Sequence, residues 1–560
     1  MTSRLVFLMA FRLKWAIVFA AFAVVDAACA ADSPISQAVA KLEQNAAQAP
    51  KPLAMEFRLR GAQALQVRYP ELARKLINLT LEELRPGKNA EPGPAMVQEL
   101  AEVAPADAVA LWPQLGPGAR QVMIGALVSA GRVDDALALF RSARAKDEIP
   151  AIAVSPLLAA LVKEKPAEAG ALYKETVATF GDPLSPSDAF WLINVSPPLA
   201  NALRDQVADS YERVIRAASA SDYGRDAKIP LTGSLQMGTT SIPSDNTRDT
   251  LLILAGSRLG TLAPERFEKY RETFARWKFT GPAMLRGAGP PQSPEIAAIS
   301  RRIGTMRGLP SDADRAQLVK ALIPEIRALP AGFNKLNLIR GLGGVSTEGD
   351  LGKEALAAVA VTLATALRES YPQMAAAKQS WPFADGYLEL AKLVRYEHLA
   401  VPFETGPDPS LDAAQAVLAL REHVQQENGF TLTSLDGKTY TLAGMKGKIV
   451  LLNFWATWCP PCRKEMPDME KLYRAYQGKG LTVIAVSDED RETVVNFLAK
   501  NSYTFPIALD PGGKVSASFF ASESIPKSFI FDREGRLAAQ TIDMRTGAQF
   551  LELLKMAGLE

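Results

Sequence analysis

The chain has 560 residues, 48% of them hydrophobic and 22% charged, an ordinary globular composition that excludes a disordered or collagen-like polypeptide and leaves room for several domains. Its 63 basic and 61 acidic residues give a formal net charge of +2, with both signs mixed along the sequence, so no strong field exists to recruit nucleic acid or an acidic lipid surface.

Residues 1–30 have the pattern of a secretory signal peptide. Arg4, Arg12 and Lys14 precede an uncharged apolar run over 15–25, and the small residues Ala27-Ala28-Cys29-Ala30-Ala31 follow. The run is shorter than the ~20 residues a membrane-spanning helix needs, so cleavage near Ala30 and release into a bacterial periplasm are expected. Two alternatives stand beside this: an uncleaved membrane anchor over 5–25, or lipid attachment at Cys29, against which Asp26 counts. Of the three cysteines, cleavage removes Cys29 and leaves only Cys459 and Cys462. No structural disulfide framework is then available, and two cysteines at CxxC spacing remain.

From about 31 to 410, alanine and leucine recur at helical spacing, punctuated by proline and glycine, which predicts an all-α region. Within 35–180, three segments resemble one another: Ala106 to Trp112, Asp134 to Phe140 and Ala167 to Tyr173. Their aligned residues Ala108, Ala136 and Ala169 are each followed by an aromatic four positions on. A small residue for close helix crossing, repeated at such intervals, suits a helical-repeat array similar to tetratricopeptide repeats, with a looser fourth copy over 71–77; an irregular helical bundle is the alternative. Past 180 the pattern loosens. Stretches 219–249 and 279–294, dense in Gly, Pro, Ser and Thr, read as long loops between helices such as 264–277 and 311–329. The proline-rich run 402–409 reads as a domain boundary. A connector helix is expected over 411–428, with Ser410 as its N-cap and Asn428-Gly429 as its stop.

After Gly429 the period changes. Residues 430–433 and 440–442 flank Asp436-Gly437 as a candidate hairpin, and the unbroken apolar run 448–455 predicts a central strand buried on both faces. Cys459-Pro460-Pro461-Cys462 follows directly and opens a helix. The first cysteine then faces the unpaired N–H groups and positive dipole end of that helix, which favours thiolate and should lower its pKa from ~8.5 into the range ~3.5–7.5. Cys462, one turn further in, is shielded and close enough to resolve a mixed disulfide. Pro460 and Pro461 fall in the first turn, where a missing N–H costs little. The helix continues along a Met466, Met469, Leu472, Tyr473, Tyr476 stripe, with Pro467 expected to kink it, and stops at Gly478-Lys479-Gly480. A strand over 481–486, a helix over 493–500, a short strand over 507–509, a further strand after Ile525-Pro526, a turn at Asp532 to Gly535, a strand over 536–542 and a helix over 546–556 complete the domain.

The stretch Asn453-Phe-Trp-Ala-Thr-Trp-Cys-Pro-Pro-Cys-Arg-Lys-Glu-Met-Pro467, with Ile525-Pro526 and the Asp532-Arg533-Glu534-Gly535 turn in register, resembles the thioredoxin-fold domains of the TlpA/ResA class of exported thiol-disulfide oxidoreductases. The resemblance covers 428–560. It implies a multidomain protein in which an all-α, helical-repeat-like N-terminal region precedes a C-terminal α/β thioredoxin-like fold, with a central mixed sheet flanked by helices. The class implies an enzyme that mostly reduces disulfides in an oxidising compartment, acting on cytochrome c or copper-site assembly substrates and recharged by an upstream electron donor. By position, Cys459 is the nucleophile and Cys462 the resolving thiol, the two forming a redox-active disulfide. Ile525-Pro526 is a cis peptide presenting backbone to an extended substrate, and Trp458 a wall of the substrate groove. Asn453 replaces the buried aspartate of thioredoxin itself, a replacement the class shares, and Glu489 stands where several members carry the carboxylate that accepts the resolving cysteine's proton; the alternative is a solvated acid in the run Asp488-Glu489-Asp490.

The class implies no cofactor and no bound metal. The only histidines, His398 and His423, lie outside the domain, so a four-ligand zinc site cannot be assembled. Two thiolates suffice for transient Cu(I) handling, and Thr457, two residues before Cys459, keeps a peroxiredoxin-like peroxidase among the alternatives. A third reading makes the helical region a protein-binding module that docks what the redox domain acts on. Protein disulfides or dithiols are the expected partners, without nucleic acid and without membrane contact beyond the signal peptide.

Overall fold

The structure is a computed structural model. It describes residues 33–560 apart from 86–91, 146–147, 196–198, 226–232, 238–239, 245, 276, 278–283, 287–292, 348, 378, 380, 402–405 and 521–523. The signal-peptide segment and the first half of the proline-rich boundary lie outside the described residues.

The chain divides into two compact units, one of residues 91–297 and one that joins residues up to 90 to residues 298–560. This differs from the linear division expected. The N-terminal helices belong with the C-terminal half, and 71–77, the loose fourth repeat copy, falls in a different unit from the three better copies.

The unit of 91–297 is built mainly of helical hairpins. The helices Pro94–Val103 and Pro105–Leu111, Pro117–Ser129 and Val133–Ala145, and Ser155–Glu164 and Pro166–Val177 follow in pairs, and four of the six carry proline at the first helical position, where no intrahelical donor is lost. Ala108, Ala136 and Ala169 lie on the second helix of each pair and are fully buried, as nearly are Trp112, Phe140 and Tyr173 beside them. These positions are therefore core positions of the hairpins. Where long loops were expected, there are three short strands, Gly233–Met237, Thr240–Ser244 and Met284–Arg286, forming an antiparallel sheet with the first in the centre. Strands of three to five residues carry too little alternation to read, and Pro243 argued against one; it is tolerated because its strand is an edge. The helix expected over 264–277 is broken into Pro264–Phe267 and a 3-10 turn Glu268–Tyr270.

In the second unit, Pro34–Ala46 packs on Lys51–Leu65, which also packs on Pro70–Glu83 and on Phe383–Tyr396 from the other half of the chain, while Asp312–Ala328, Phe333–Ser346, Lys353–Ala376 and Phe383–Tyr396 pack in succession. The helix Pro409–Asn428 is not a mere connector. It packs against Pro34–Ala46, Lys51–Leu65 and Phe383–Tyr396, burying Leu411, Ala414, Val417, Leu418 and Leu420. Its cap is Asp408, whose carboxylate accepts the N–H groups of Ser410 and Leu411, so Ser410 is displaced from the expected capping role.

The α/β domain that follows has seven strands: β1 Thr431–Ser434, β2 Thr439–Thr441, β3 Ile449–Phe454, β4 Leu481–Ser487, β5 Ile507–Leu509, β6 Lys527–Phe531 and β7 Leu537–Gln540. Their order is β7-β6-β3-β4-β5-β1-β2. β3 runs parallel to β4 and antiparallel to β6, so its six residues are covered on both edges and both faces, as the unbroken run Ile-Val-Leu-Leu-Asn-Phe requires. Helices α1 Pro460–Tyr476, α2 Arg491–Leu498 and α4 Gly547–Met556 cover one face through Met466, Met469, Val494, Phe550 and Leu554. Helix α3 Lys514–Phe520, too short to show a period, covers the other through Phe519, which meets Phe454 and Phe529. On that side Gln425 of the Pro409–Asn428 helix donates to the Phe519 carbonyl. α1 continues through Pro467 to Tyr476 and is closed by Gly480 at φ 92°, the left-handed conformation glycine adopts without strain.

Candidate active site

β3 ends at Phe454, and the chain crosses the end of the sheet through Trp455-Ala456-Thr457-Trp458 before α1 begins, so a site at the carboxyl end of a central strand is built by connectivity alone. Cys459 is the N-cap of α1, and its sulfur lies 3.3 Å from the Cys462 nitrogen, whose N–H points at it. That N–H is one of the donors a helix start leaves unpaired, and a negative sulfur is the acceptor it favours. Cys459 and Cys462 are joined as a disulfide with Cα atoms 5.4 Å apart. Cys462 is fully buried and Cys459 is 2% exposed, whereas Trp458 immediately before them is 68% exposed.

The Ile525–Pro526 peptide is cis, and the Ile525 carbonyl oxygen lies 3.8 Å from the Cys459 sulfur. Sequence-distant backbone thus lies beside the Cys459 sulfur. Glu489 lies in the turn after β4 and is half-buried; its carboxylate accepts the Thr457 N–H at 2.6 Å and the Thr457 hydroxyl at 2.7 Å. Its other partner is the Ser487 hydroxyl at 3.3 Å. It therefore braces the segment entering the cysteine pair and does not reach Asn453.

The carboxylate that does meet Asn453 is Glu465, to which the sequence reading gave no role. Asn453, fully buried on β3 opposite Ser528, donates to Glu465 Oε1 at 2.7 Å and to the Ser528 hydroxyl at 3.0 Å. The Arg545 N–H, from the segment between β7 and α4, donates to Glu465 Oε2 at 3.0 Å. Burial pushes this carboxyl up to about 8, against the lowering effect of the Arg545 N–H, Asn453 and the Arg545 charge. A signal for it exists in the sequence: Cys462, Glu465 and Met469 share one face of α1 at helical spacing, so an acidic residue occupies an otherwise apolar stripe. Arg545 has no such local signal.

Comparison with known proteins supports the same chemistry. Residues 425–540 match the AhpC/TSA family. The thiol-disulfide oxidoreductase ResA of Bacillus thuringiensis (strain Al Hakam) is 39% identical over 145 residues, which are 25% of this chain and 83% of that protein. The chain belongs, through this C-terminal quarter, to the ResA family of thiol-disulfide oxidoreductases. The Bacillus subtilis thioredoxin-like protein YneN is 44% identical over 20% of this chain and 66% of its own length. Crystalline StoA of Bacillus subtilis, 30% identical, aligns with 22% of this chain and 96% of its own at a TM-score of 0.21. The domain is thus a thioredoxin-like thiol-disulfide oxidoreductase, an activity that requires protein substrates and redox partners.

Proposed function

We propose that the protein is exported and reduces disulfides in extracytoplasmic proteins of the cytochrome c or copper-site assembly kind, with Cys459 as the attacking sulfur and Cys462 as the resolving one. The observation that carries this reading is the Cys459 sulfur capping α1, with the Cys462 N–H directed at it from 3.3 Å. In the reduced enzyme, the Cys459 thiolate attacks one sulfur of a substrate disulfide, whose S–S bond breaks, and the other substrate sulfur leaves and takes up a proton. Cys462 then loses its proton, its sulfur attacks Cys459 Sγ, and the mixed disulfide breaks to release the second substrate thiolate. The substrate gains two electrons and the pair is left oxidised, to be recharged by an upstream dithiol donor.

Glu465 is the acceptor we favour for the Cys462 proton. It lies one helical turn below Cys462, is buried with it, and holds a carboxyl raised to about 8, close to the ~8.5 of a free thiol, so proton transfer costs little. A second reading assigns that proton to Glu489, which the hydrogen bonds from Thr457 hold beside the segment leading into the pair. Exposed Trp458 and the Ile525-Pro526 backbone are the substrate-positioning groups in this scheme.

The peroxidase alternative is less favoured, because the Thr457 hydroxyl is committed to Glu489 and Cys459 is bonded to a partner three residues away. Among the described residues no group of three or more His, Cys, Asp or Glu is arranged to hold a metal ion, and none of their helices is long and apolar enough to cross a membrane. Docking of a partner on the helical hairpins remains compatible with all of this.

Replacing Cys462 with Ala should trap the substrate on Cys459 as a stable mixed disulfide identifiable by mass spectrometry, and Cys459→Ser should abolish trapping. Full disulfide-reducing activity in Cys459→Ser would overturn the assignment. A glutathione-buffer titration fixes direction: a potential well below about −200 mV supports a reductant, and one near about −120 mV an oxidant.

A further inference from the structure

The segment between β7 and α4 is held from two sides. On one side lies α1, where Glu465 accepts the Arg545 N–H at 3.0 Å and Asp468 accepts the Gly547 N–H at 3.0 Å. On the other lie helices that precede the thioredoxin-like domain. The Arg545 guanidinium pairs with Glu397, which follows the helix Phe383–Tyr396, and reaches the Thr347 carbonyl at 3.4 Å; Gln549 donates to the Gly349 carbonyl at 3.2 Å. Arg545 is 3% exposed at its side chain and Glu397 8%. A charged pair this deeply buried is costly to form and still more costly to break on one side. The same residue therefore offers its side chain to the helical scaffold and its backbone to the carboxyl behind the dithiol.

We propose that Glu397 and Arg545 are positioning residues for the resolving step, through which the helical scaffold sets the placement and protonation of Glu465. The inference rests on the reading of Glu465 as proton acceptor. Two effects combine. The ion pair fixes the 541–546 segment, and hence the N–H that holds Oε2. Its net charge also sets the field at Glu465: Arg545 stabilises the carboxylate and Glu397 offsets Arg545. The other groups facing this site are Asp543, which opposes ionisation of Glu465, the Lys527 ammonium, which donates to the Ile542 carbonyl at 2.6 Å, and His398, the residue after Glu397, on which the Lys353, Glu397, Arg545 and Arg395 charges all act.

The test uses the full-length reduced protein mixed with Ellman's reagent in a stopped-flow instrument. Attack by Cys459 releases the first thionitrobenzoate. Resolution by Cys462 releases the second, as the Cys462 sulfur bonds to Cys459 and the proton passes to Glu465. The second phase is followed against pH. Arg545→Met should move its midpoint upward by at least ~0.5 pH unit, since the charge favouring the carboxylate is gone; Glu397→Gln, which unmasks Arg545, should move it downward. The first phase should stay within about twofold of the parent in both. A purely structural role would slow both variants alike without opposite displacements.

Should either single variant fail to fold, Glu397→Met with Arg545→Met removes both buried charges together, a change of the kind that is often neutral or stabilising. Its midpoint should still rise, because Arg545 lies against Glu465 and Glu397 does not, but by less than in Arg545→Met, since the offsetting Glu397 charge is gone as well. Midpoints within ~0.2 unit of the parent in Arg545→Met, or in the double variant in its place, overturn the inference while leaving the acceptor reading intact, provided Glu465→Gln abolishes the limb. A parental limb in Glu465→Gln overturns both.

Discussion

In the helical hairpins of the 91–297 unit, Ala108, Ala136 and Ala169 are fully buried, and a buried hydroxyl such as Thr176 is satisfied by its own helix, donating to the Leu172 carbonyl at 2.8 Å. Behind the dithiol, Asn453, Glu465, Ser528 and Arg545 are buried together and hydrogen-bonded to one another across β3, α1, β6 and the segment before α4, with the Asn453 Oδ1 left unpartnered. The first arrangement satisfies its buried hydroxyls with neutral partners, the Tyr173 hydroxyl donating to Ser210 at 2.8 Å, and leaves packing to small and aromatic residues. The second spends burial on a carboxyl that would be far more stable in water, a cost that makes sense where a proton must be moved. Substitutions in the two regions should accordingly fail differently: one in stability alone, the other in rate and pH dependence.

The largest expected effect divides Glu465 from Glu489. Glu465→Gln keeps the shape and the neutral state but cannot accept a proton, and the second thionitrobenzoate phase should slow roughly 100-fold with loss of its rise toward alkaline pH. Glu489→Gln keeps an oxygen for the Thr457 N–H and should slow the same phase less than about 10-fold. The reverse ranking would transfer the acceptor role to Glu489.

Next in size is a pH-dependent stability difference. Because the native carboxyl of Glu465 is raised to about 8, the folded protein holds a proton there that the unfolded chain, titrating near 4.5, gives up. The stabilising contribution is complete below about pH 4.5 and is lost as pH rises through about 8. Urea denaturation of the oxidised protein should therefore show the parent losing on the order of 2 kcal/mol relative to Glu465→Gln between about pH 6 and 8. A constant difference across that range would mean that Glu465 is ionised in the native state. In the hairpins, Ala136→Leu should cost about 1–3 kcal/mol by overpacking beside Phe140 at every pH, and leave both thionitrobenzoate phases unchanged.

How much of this could be read in advance follows the same division. The β3 run, the cysteine pair at a helix start and the helical spacing that buries Ala108, Ala136 and Ala169 are local patterns, and each has a counterpart in the structure. The Pro409–Asn428 helix was legible as a helix, but its burial against helices nearly 400 residues earlier was not, since an all-round Ala and Leu pattern does not name its neighbours. The three-stranded sheet was hidden by strands of three to five residues containing Gly233 and Pro243. Glu465 interrupts an apolar stripe and was visible in principle, whereas Arg545 sits in an irregular segment whose importance comes entirely from long-range partners, 80 and 148 residues away in sequence.

The smallest expected effect tests whether Arg545 acts through its charge or only through the rigidity of its segment. Thr546, the next residue, caps α4 in a reciprocal box: its hydroxyl accepts the Gln549 N–H at 3.4 Å and the Gln549 side chain accepts the Thr546 N–H at 3.0 Å. Thr546→Ala removes one side of that box and should cost about 1 kcal/mol of stability. It leaves the Glu397–Arg545 pair and the Arg545 N–H untouched, so the midpoint of the resolving phase should stay at the parental pH. If Thr546→Ala displaced the midpoint as far as Arg545→Met does, loosening of the segment would account for both variants, and the opposite displacement expected of Glu397→Gln should then disappear.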